Sequence, residues 1–194
     1  MRGPKKVKLG EIAEIINGVA DYPQHEKNHM ESPVTYNYIQ PKHLGDFNDI
    51  IATSKIVKPA PVASSCLVRK NDILLKRLNS DVVALIEEEL SDTIVSNNLF
   101  VIRVSQKFFP AYIACFLETH SLAGLNFNVV GSLSAIKSIS AKALALLDIP
   151  AIEYEKQEII GNLWLLCKKR KQLLDSLMAA DELLMAAVIN KVAL

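Results

Sequence analysis

Residues 155–194 read EKQEIIGNLWLLCKKRKQLLDSLMAADELLMAAVINKVAL and contain no proline and one glycine, Gly161. From Ile159 onward, the residues of one stripe recur at alternating intervals of four and three positions, which is the heptad spacing of a coiled-coil seam. The stripe is mostly apolar and has Arg170 in its middle. The segment therefore predicts one continuous α-helix about 60 Å long, at roughly 1.5 Å per residue.

This helix is longer than the residues before it could cover, because a domain of ~150 residues has a radius of gyration near ~15 Å. Part of the apolar stripe is therefore expected to bury itself against a second copy of the helix or against a partner subunit. A helix that lies wholly on its own domain is the alternative. The predicted dimer contacts are Ile159, Leu163, Leu166, Arg170, Leu173, Leu177 and Leu184.

The sequence before the long helix has mainly the pattern of short β-strands. The stretches VTYNYIQ, SKIVKPA, SCLVRKNDILLKRL, DVVALIEEE and TIVSNNLFVIRVS are rich in apolar or β-branched residues and are separated by turn-forming residues. They predict about five or six strands. We expect an α+β protein, with a mixed β-rich domain over residues 1–153 and the long helix, paired as a coiled coil, over residues 154–194.

Two shorter helices are predicted inside the β-rich domain. The apolar residues of KLGEIAEIING are spaced by three or four positions from Leu9 to Ile16, and Gly18 follows as a helix stop. The second helix begins at Pro110, a residue suited to the first helical turn, and ends near Gly124.

The composition is that of a folded protein, with 50% hydrophobic residues, 22% charged residues and a net charge of +1. No run approaches the roughly 18 apolar residues of a membrane-spanning helix, so we expect a cytoplasmic location without a membrane partner. Residues 1–80 carry 12 Lys/Arg against 8 Asp/Glu, which permits contact with phosphate. Cys66, Cys115 and Cys167 form no C-x-x-C pair, and each is expected to be a small buried residue.

One short motif indicates a different chemistry. Residues 25–29, HEKNH, match H-E-x-x-H, in which two histidines of one helical face bind zinc and the glutamate activates water. The motif lies between two prolines and has no apolar stripe that would dock a helix on the protein. We therefore predict an exposed loop, and a zinc-dependent hydrolase that uses His25, Glu26 and His29 is the alternative.

Six stretches together carry a family resemblance: VKLGEIAEIINGVA (7–20), YNYIQPKHLGDFNDI (36–50), VRKNDILLKR (68–77), IVSNNLFVIRVS (94–105), PAYIACFLET (110–119) and GSLSAIKSISAKALALLDIPAIEYEKQEII (131–160). In this order and spacing they resemble the specificity (S) subunit of type I restriction-modification systems. The third stretch is similar to the G-D-I-L strand of that family, with Asn71 where glycine is usual. The resemblance covers essentially the whole chain.

S subunits usually contain two target recognition domains and two long helices, whereas this sequence has one of each. The resemblance therefore implies a half-length protein that recognises a half-site in double-stranded DNA and forms a homodimer through its C-terminal helix. It also implies a non-catalytic subunit, whose methyltransferase (M) and restriction (R) partners hold the cofactors S-adenosylmethionine, ATP and magnesium. No cofactor, catalytic residue or metal ligand is expected in this chain.

Candidate DNA contacts are the polar and basic residues of the loops in this resemblance. The loop before Pro33 offers donors, acceptors and an aromatic ring for base edges, whereas the lysine, arginine and serine residues elsewhere suit phosphate or guanine. The candidates are Asp21, Tyr22, Gln24, His25, Asn28, His29, Lys42, His43, Lys76, Arg77, Asn79, Ser132, Ser134, Lys137 and Ser138. A solvated surface role for each of them is the alternative.

A third functional class stands beside DNA recognition and zinc hydrolysis. An adaptor would bind another protein through the long helix and would have a domain that no longer binds DNA. Co-purification with a methyltransferase subunit would favour the DNA-recognition hypothesis over the adaptor.

Overall fold

The computed structural model describes residues 4–20, 33–78, 82–121 and 138–192. Within these ranges the strands are β1 (Lys6–Lys8), β2 (Ala13–Asn17), β3 (Val34–Ile39), β4 (Ser54–Lys58), β5 (Ile73–Lys76), β6 (Val83–Leu85), β7 (Thr93–Val95), β8 (Leu99–Val104) and β9 (Asp148–Pro150). The helices are α1 (Leu9–Ile12), α2 (Pro110–Phe116), α3 (Ala141–Ala145) and the long helix α4 (Tyr154–Val192). The predicted α+β class with a long C-terminal helix is confirmed.

An antiparallel sheet in the order β2-β8-β5-β6 forms the centre of the fold. Successive residues of β5 alternate between its faces, so Ile73 and Leu75 join one apolar core with Phe100, whereas Leu74 joins a second core with Val101. All five side chains are at most 2% exposed. Both faces of the sheet are therefore covered, which explains why β5 is a continuous apolar run and not an alternating one.

A second sheet has the order β4-β3-β7, with β3 antiparallel to β4 and parallel to β7. β7 and β8 are consecutive in the chain but belong to different sheets, and a short turn over Asn97 and Asn98 separates them. Next to this turn, the Ser96 backbone nitrogen donates to the Ile39 oxygen at 2.8 Å, and Val19 bridges to Ser96. The two sheets therefore meet at the turn between β7 and β8.

β1 pairs antiparallel with β9, which brings the start of the described chain beside the segment that leads into α4. The Leu9 nitrogen donates to the Leu147 oxygen at 2.9 Å just beyond this pair. Lys8 Nζ lies 2.7 Å from Asp148 Oδ1, and this hydrogen bond lowers the pKa of the Asp148 carboxyl. Both side chains are about half exposed, so solvent screens the ion pair and it adds little stability.

The predicted helix over residues 9–16 is wrong beyond its first turn. α1 ends at Ile12, and the residues that follow form β2, paired with β8 from Ala13 opposite Val104. Ile15 and Ile16 are β-branched neighbours, and a strand directs them to opposite faces of the sheet, where each packs against a different core. Pairing with β8 therefore outweighs the three- and four-residue spacing of the apolar residues.

α2 begins at Pro110, as predicted, and a π-helical segment continues it over Leu117–Ser121. The predicted end near Gly124 lies outside the described residues. The backbone nitrogen of Phe109, which caps the helix, donates to Oε1 of Gln157 at 2.9 Å. A side chain of the long helix thus satisfies one of the free N–H groups at the start of α2.

Three buried residues attach the first turns of α4 to the domain: Gln157, Gly161 and Trp164. Gln157 Nε2 also donates to the Ile152 oxygen at 2.8 Å. Gly161 approaches α2 so closely that a Cβ atom on it would lie 2.7 Å from the backbone nitrogen of Tyr112. The absence of a side chain at this position is therefore what permits the contact between the two helices.

Beyond Lys168 the long helix leaves the domain, and every residue from 169 to 192 is exposed except Gln172, which is half-buried. This part extends about 36 Å at roughly 1.5 Å per residue. Because each helical residue turns by about 100°, Ile159 lies roughly 200° from Gln157, on the side that faces away from the domain. The alternative of a helix lying wholly on its own domain is therefore wrong.

A buried ion pair links β8 to the start of β5. Nε of Arg103 lies 2.9 Å from Oδ1 of Asp72, and Nη2 lies 2.8 Å from Oδ2. Asp72 is 1% exposed, and its hydrogen bond raises the pKa of the Arg103 guanidinium. Asn71, directly before it, has a φ of 70°, a left-handed conformation that glycine adopts at no steric cost. This accounts for the glycine that the S-subunit resemblance implies at this position.

The cysteines differ in environment. Cys167 is exposed, so the expectation of a buried residue is wrong there, because the residue lies on the flank of α4, roughly 80° around the helix from the buried Gln157. Cys66 and Cys115 are half-buried, and burial raises the pKa of the Cys115 thiol. Within the four described ranges, no helix is both long enough and apolar enough to cross a membrane.

Candidate nucleic-acid interface

One end of the four-stranded sheet gathers several of the predicted contact segments. The register sets Asn17 of β2 opposite Phe100 of β8, and Lys76 of β5 opposite Leu99 of β8. We call this end the loop edge and define it as residues 17–20, 76–78, 96–99 and 138. These ranges contain two cations, Lys76 and Arg77, and no carboxylate.

Lys76 and Arg77 end β5 at the loop edge and are both half-buried. The Arg77 guanidinium carbon lies 4.9 Å from the centroid of the Phe100 ring, and Nη1 donates to the Asn97 oxygen at 3.1 Å. Stacking on the ring and this hydrogen bond together restrict the orientation of Arg77. Lys76 has no ion-pair partner among the described residues, so its charge is available to an anion.

Ser138 lies beside the end of β5, although more than fifty residues separate them in the chain. Ser138 forms an isolated antiparallel bridge with Leu78, and the Ile139 nitrogen donates to the Arg77 oxygen at 2.9 Å. The Ser138 side chain is exposed. The structure thus brings together two of the predicted contact segments.

Lys42 and His43 lie in a single turn of 3₁₀ helix that follows β3. His43 is 6% exposed, and its Nδ1 accepts a 3.1 Å hydrogen bond from the Gln40 backbone nitrogen. A buried imidazole that closes its own turn cannot reach a base edge without unfolding that turn, so this placement does not support the predicted DNA contact of His43. Lys42 is exposed.

The other predicted DNA contacts lie outside the described residues. They are Asp21, Tyr22, Gln24, His25, Asn28, His29, Asn79, Ser132, Ser134 and Lys137. Each of these segments has one described neighbour in the loop edge, namely Ala20, Leu78 or Ser138, whereas the neighbours on their other sides, Pro33, Val82 and Ser121, lie outside it. Ala20 is held there by Lys58, which is 2% exposed and donates from Nζ to the Ala20 oxygen.

The H-E-x-x-H motif of the zinc alternative also lies outside the described residues. Elsewhere, in the part of the chain that the structure describes, no three His, Cys, Asp or Glu side chains form a group able to hold a metal ion.

Two exposed residues of the loop edge, Asn97 and Asn98, were not among the predicted contacts. They lie inside the run from Thr93 to Ser105, whose β pattern is otherwise continuous. The adjacent asparagines inside this apolar run were the available signal, because paired asparagines between two β-rich stretches are typical of a turn.

The predicted dimer contacts form an apolar row on the side of α4 that faces away from the domain. Its six apolar members are 57% to 68% exposed: Ile159, Leu163, Leu166, Leu173, Leu177 and Leu184. Arg170, also exposed, lies within the row. We call these seven residues the outer stripe. In this single chain, no described residue of the domain covers it.

No protein-family model matches the sequence, and no curated protein is significantly similar to it. Solved structures, in contrast, share its fold. A structure that concerns complex assembly and conformational transition of the type I restriction-modification system matches 97% of this chain and 44% of its own, with a TM-score of 0.65 and 19% identity.

Two further structures match nearly the whole chain. The HsdS subunit from Thermoanaerobacter tengcongensis has a TM-score of 0.59 at 19% identity, over 92% of this chain and 40% of its own. The type I restriction-modification S subunit from M. genitalium has a TM-score of 0.51 at 14% identity, over 94% of this chain and 44% of its own.

This chain spans less than half of the length of each of these three proteins. The similarity includes both the β-rich domain and the long helix, since more than nine-tenths of the chain is matched in each case. The structural agreement confirms the resemblance that the sequence predicted. With its β-rich domain and its long helix, the chain has the fold of type I restriction-modification specificity subunits over somewhat less than half of their length.

Proposed function

We propose that the chain is a non-catalytic, sequence-specific DNA-binding subunit of a type I restriction-modification system. The observation that carries the proposal is the loop edge, which brings Lys76 and Arg77 together with Ser138 and with Ala20, the residue that precedes the predicted contact loop at 21–29. A surface of this kind, with cations beside loops rich in polar side chains, suits a duplex half-site. Cations hold the phosphates, and polar side chains discriminate the bases.

Lys76 and Arg77 have different roles in this proposal. Lys76, which has no ion-pair partner among the described residues, contacts a phosphate and releases counterions from the duplex. Arg77 is already held by Phe100 and the Asn97 oxygen, so it positions the turn between β7 and β8 and adds positive charge.

The outer stripe supports the second half of the proposal, which is a homodimer formed through α4. A helix pair that buries these residues would present two loop edges to DNA, each reading one half-site. Large exposed apolar rows of this length mark interaction surfaces in soluble proteins. The M and R subunits are the further partners that we propose, and they would contribute S-adenosylmethionine, ATP and magnesium in the cytoplasm.

The decisive experiment is selection from a library of randomised duplexes with the full chain. The selected duplex is then used to compare the wild type with Lys76→Ala and with Lys107→Ala as a matched control. Lys107 is an exposed lysine in the turn after β8, at the opposite end of the same sheet. The logarithm of the DNA-binding constant falls linearly with the logarithm of the salt concentration, and removing one phosphate contact makes this slope shallower by about 0.9. We expect this change for Lys76→Ala and not for Lys107→Ala.

Recovery of one enriched sequence, with the Lys76 effect and no Lys107 effect, would support the proposal. An equal loss for both lysines would indicate non-specific attraction and count against the loop edge. Failure to enrich any sequence, in a preparation that associates normally through α4, would leave the adaptor as the better hypothesis.

A further inference from the structure

The turn between β7 and β8 contains two adjacent asparagines that its backbone does not require. The Leu99 nitrogen donates to the Ser96 oxygen at 2.8 Å and closes the turn around Asn97 and Asn98. Neither asparagine is among the described residues with positive φ, which are Asn48, Asn71 and Asp92. Left-handed backbone is a common reason for asparagine in turns, and it does not apply here.

Neighbouring segments hold the backbone of this turn on both sides. The Asn97 nitrogen donates to the Val19 oxygen at 3.1 Å, and the Asn98 nitrogen donates to Ser96 Oγ at 3.2 Å. The two carbonyl oxygens both accept hydrogen bonds from Arg77, from Nη1 at 3.1 Å to Asn97 and from the backbone nitrogen at 3.0 Å to Asn98. The turn is therefore fixed before any ligand arrives.

The two side chains themselves take no part in these contacts. Both are exposed, and neither amide has a hydrogen-bond partner within residues 4–20, 33–78, 82–121 and 138–192. Each amide keeps one acceptor and two donor positions for a ligand. A rigid backbone that carries free amides loses little conformational entropy on binding, which is the property of a preorganised recognition element.

The surroundings restrict what the ligand can be. The two amides stand beside Lys76 and Arg77, the cations of the loop edge, and the ranges of that edge contain no carboxylate. An anionic ligand with hydrogen-bonding edges fits this combination. In duplex DNA, an asparagine amide matches adenine, because it can donate to N7 and accept from the N6 amino group at the same time.

We propose that Asn97 and Asn98 determine sequence specificity by reading adenine in the major groove. This inference rests on the proposed function, since it assigns a base to the same surface. The two proposals can be tested separately, because Lys76 can bind phosphate whether or not the asparagines contact a base.

The experiment repeats the duplex selection with Asn97→Ala, Asn98→Ala and the control Asn162→Ala, which removes an exposed amide from α4. We expect one or both turn variants to lose discrimination at an adenine of the selected site by about tenfold or more. The control should select the wild-type sequence. Thermal denaturation of the two turn variants should match that of the wild type, because the amides of Asn97 and Asn98 have no contacts among the described residues.

A second measurement addresses the contact itself. The selected duplex is resynthesised with 7-deazaadenine at the adenine in question, which removes the N7 acceptor and leaves base pairing intact. The wild type should lose affinity for this duplex, whereas the alanine variant that has lost discrimination should bind both duplexes equally.

The outcomes separate this inference from the proposed function. If the wild type enriches no sequence, the proposed function itself fails. If the wild type enriches a sequence and both alanine variants enrich the same one with unchanged discrimination, only the role of the asparagines is refuted. Uniform weakening across all sequences would also refute it, because it would make the turn a backbone contact.

Discussion

The indole Nε1 of Trp164 donates a 2.7 Å hydrogen bond to Oε2 of Glu118, and the Lys168 ammonium donates to the other oxygen of the same carboxylate. Lys168 also donates to the Asp46 oxygen at 2.7 Å. One carboxylate beyond α2 thus holds two residues of α4 that lie one turn apart. The side chains of Glu118 and Lys168 are 20% and 11% exposed, so water screens this group only in part.

Removing the carboxylate should loosen the long helix. Glu118→Ala leaves the Lys168 cation largely buried without its ion-pair partner. We expect a loss of about 2–4 kcal/mol in the free energy of unfolding, somewhat less than for a fully buried pair. Urea denaturation measures this loss. Glu155→Ala, which removes an exposed carboxylate of the same helix, should change stability little. Equal losses of stability in Glu118→Ala and Glu155→Ala would show that Glu118 contributes only surface charge.

Gly161→Ala should destabilise the protein although alanine favours helices by about 1 kcal/mol over glycine. The added Cβ would lie 2.7 Å from both the Tyr112 nitrogen and a Phe109 ring carbon, so α4 must move away from α2. Trp164 is the one tryptophan of the chain, and its fluorescence should report the displacement. At the neighbouring exposed position, Asn162→Ala should slightly increase stability. A stabilised Gly161→Ala variant would contradict the close helix contact.

Asp72→Ala should lower the free energy of unfolding by about 3–5 kcal/mol, because it leaves Arg103 without its buried partner. The Arg69 nitrogen, 2.8 Å from Asp72 Oδ2, loses its acceptor as well. Chemical denaturation of Asp72→Ala, of Arg103→Met and of the double variant measures the coupling. The double variant should lose less than the sum of the two single losses, and simple additivity would rule out the coupling.

The outer stripe should control association. Leu173→Glu with Leu177→Glu places two charges in the stripe, and we expect the chain to become monomeric in multi-angle light scattering at micromolar concentration. Ala179→Glu with Ala186→Glu adds the same charges on the other side of α4 and should leave the dimer intact. A monomeric wild type would refute dimerisation through this helix.

Metal removal should leave the protein unchanged. The HEKNH motif lacks the apolar face that would dock a zinc-binding helix, so we expect dialysis against EDTA to alter neither thermal stability nor DNA binding. Elemental analysis that finds stoichiometric zinc in the wild type and none in His25→Ala would instead revive the hydrolase.

Local sequence pattern predicted the elements whose contacts repeat regularly along the chain. α4 has a heptad stripe over most of its length, and the stretches that contain β3 and β4 are rich in β-branched and aromatic residues. Pattern failed at β2, because Ile15 and Ile16 satisfy helical spacing as well as strand alternation, and only the distant partner β8 decides between them. The left-handed φ of Asn71 was not predicted, although the glycine that is usual at this position in the family resemblance was a signal for it.

The candidate site also depends on partners that are distant in the sequence. The choice of Lys76, Arg77 and Ser138 rested on residue type and loop position, whereas their proximity depends on a bridge between Leu78 and Ser138 across the chain. His43 has the same residue type as a base-reading histidine but is buried in its own turn. Burial of that kind follows from tertiary packing, which no short stretch of sequence encodes.

The exposed length of α4 also affects the amount of this protein that persists in a cell. A free copy presents large apolar side chains to water, up to Leu183 at 72% and Val192 at 82% exposure. Such a surface binds chaperones and promotes aggregation. A helix without tertiary contacts also unfolds locally and is then cleaved by proteases. We therefore expect copies made in excess of their partners to be degraded quickly, so that the abundance of this chain follows the supply of whatever covers its helix.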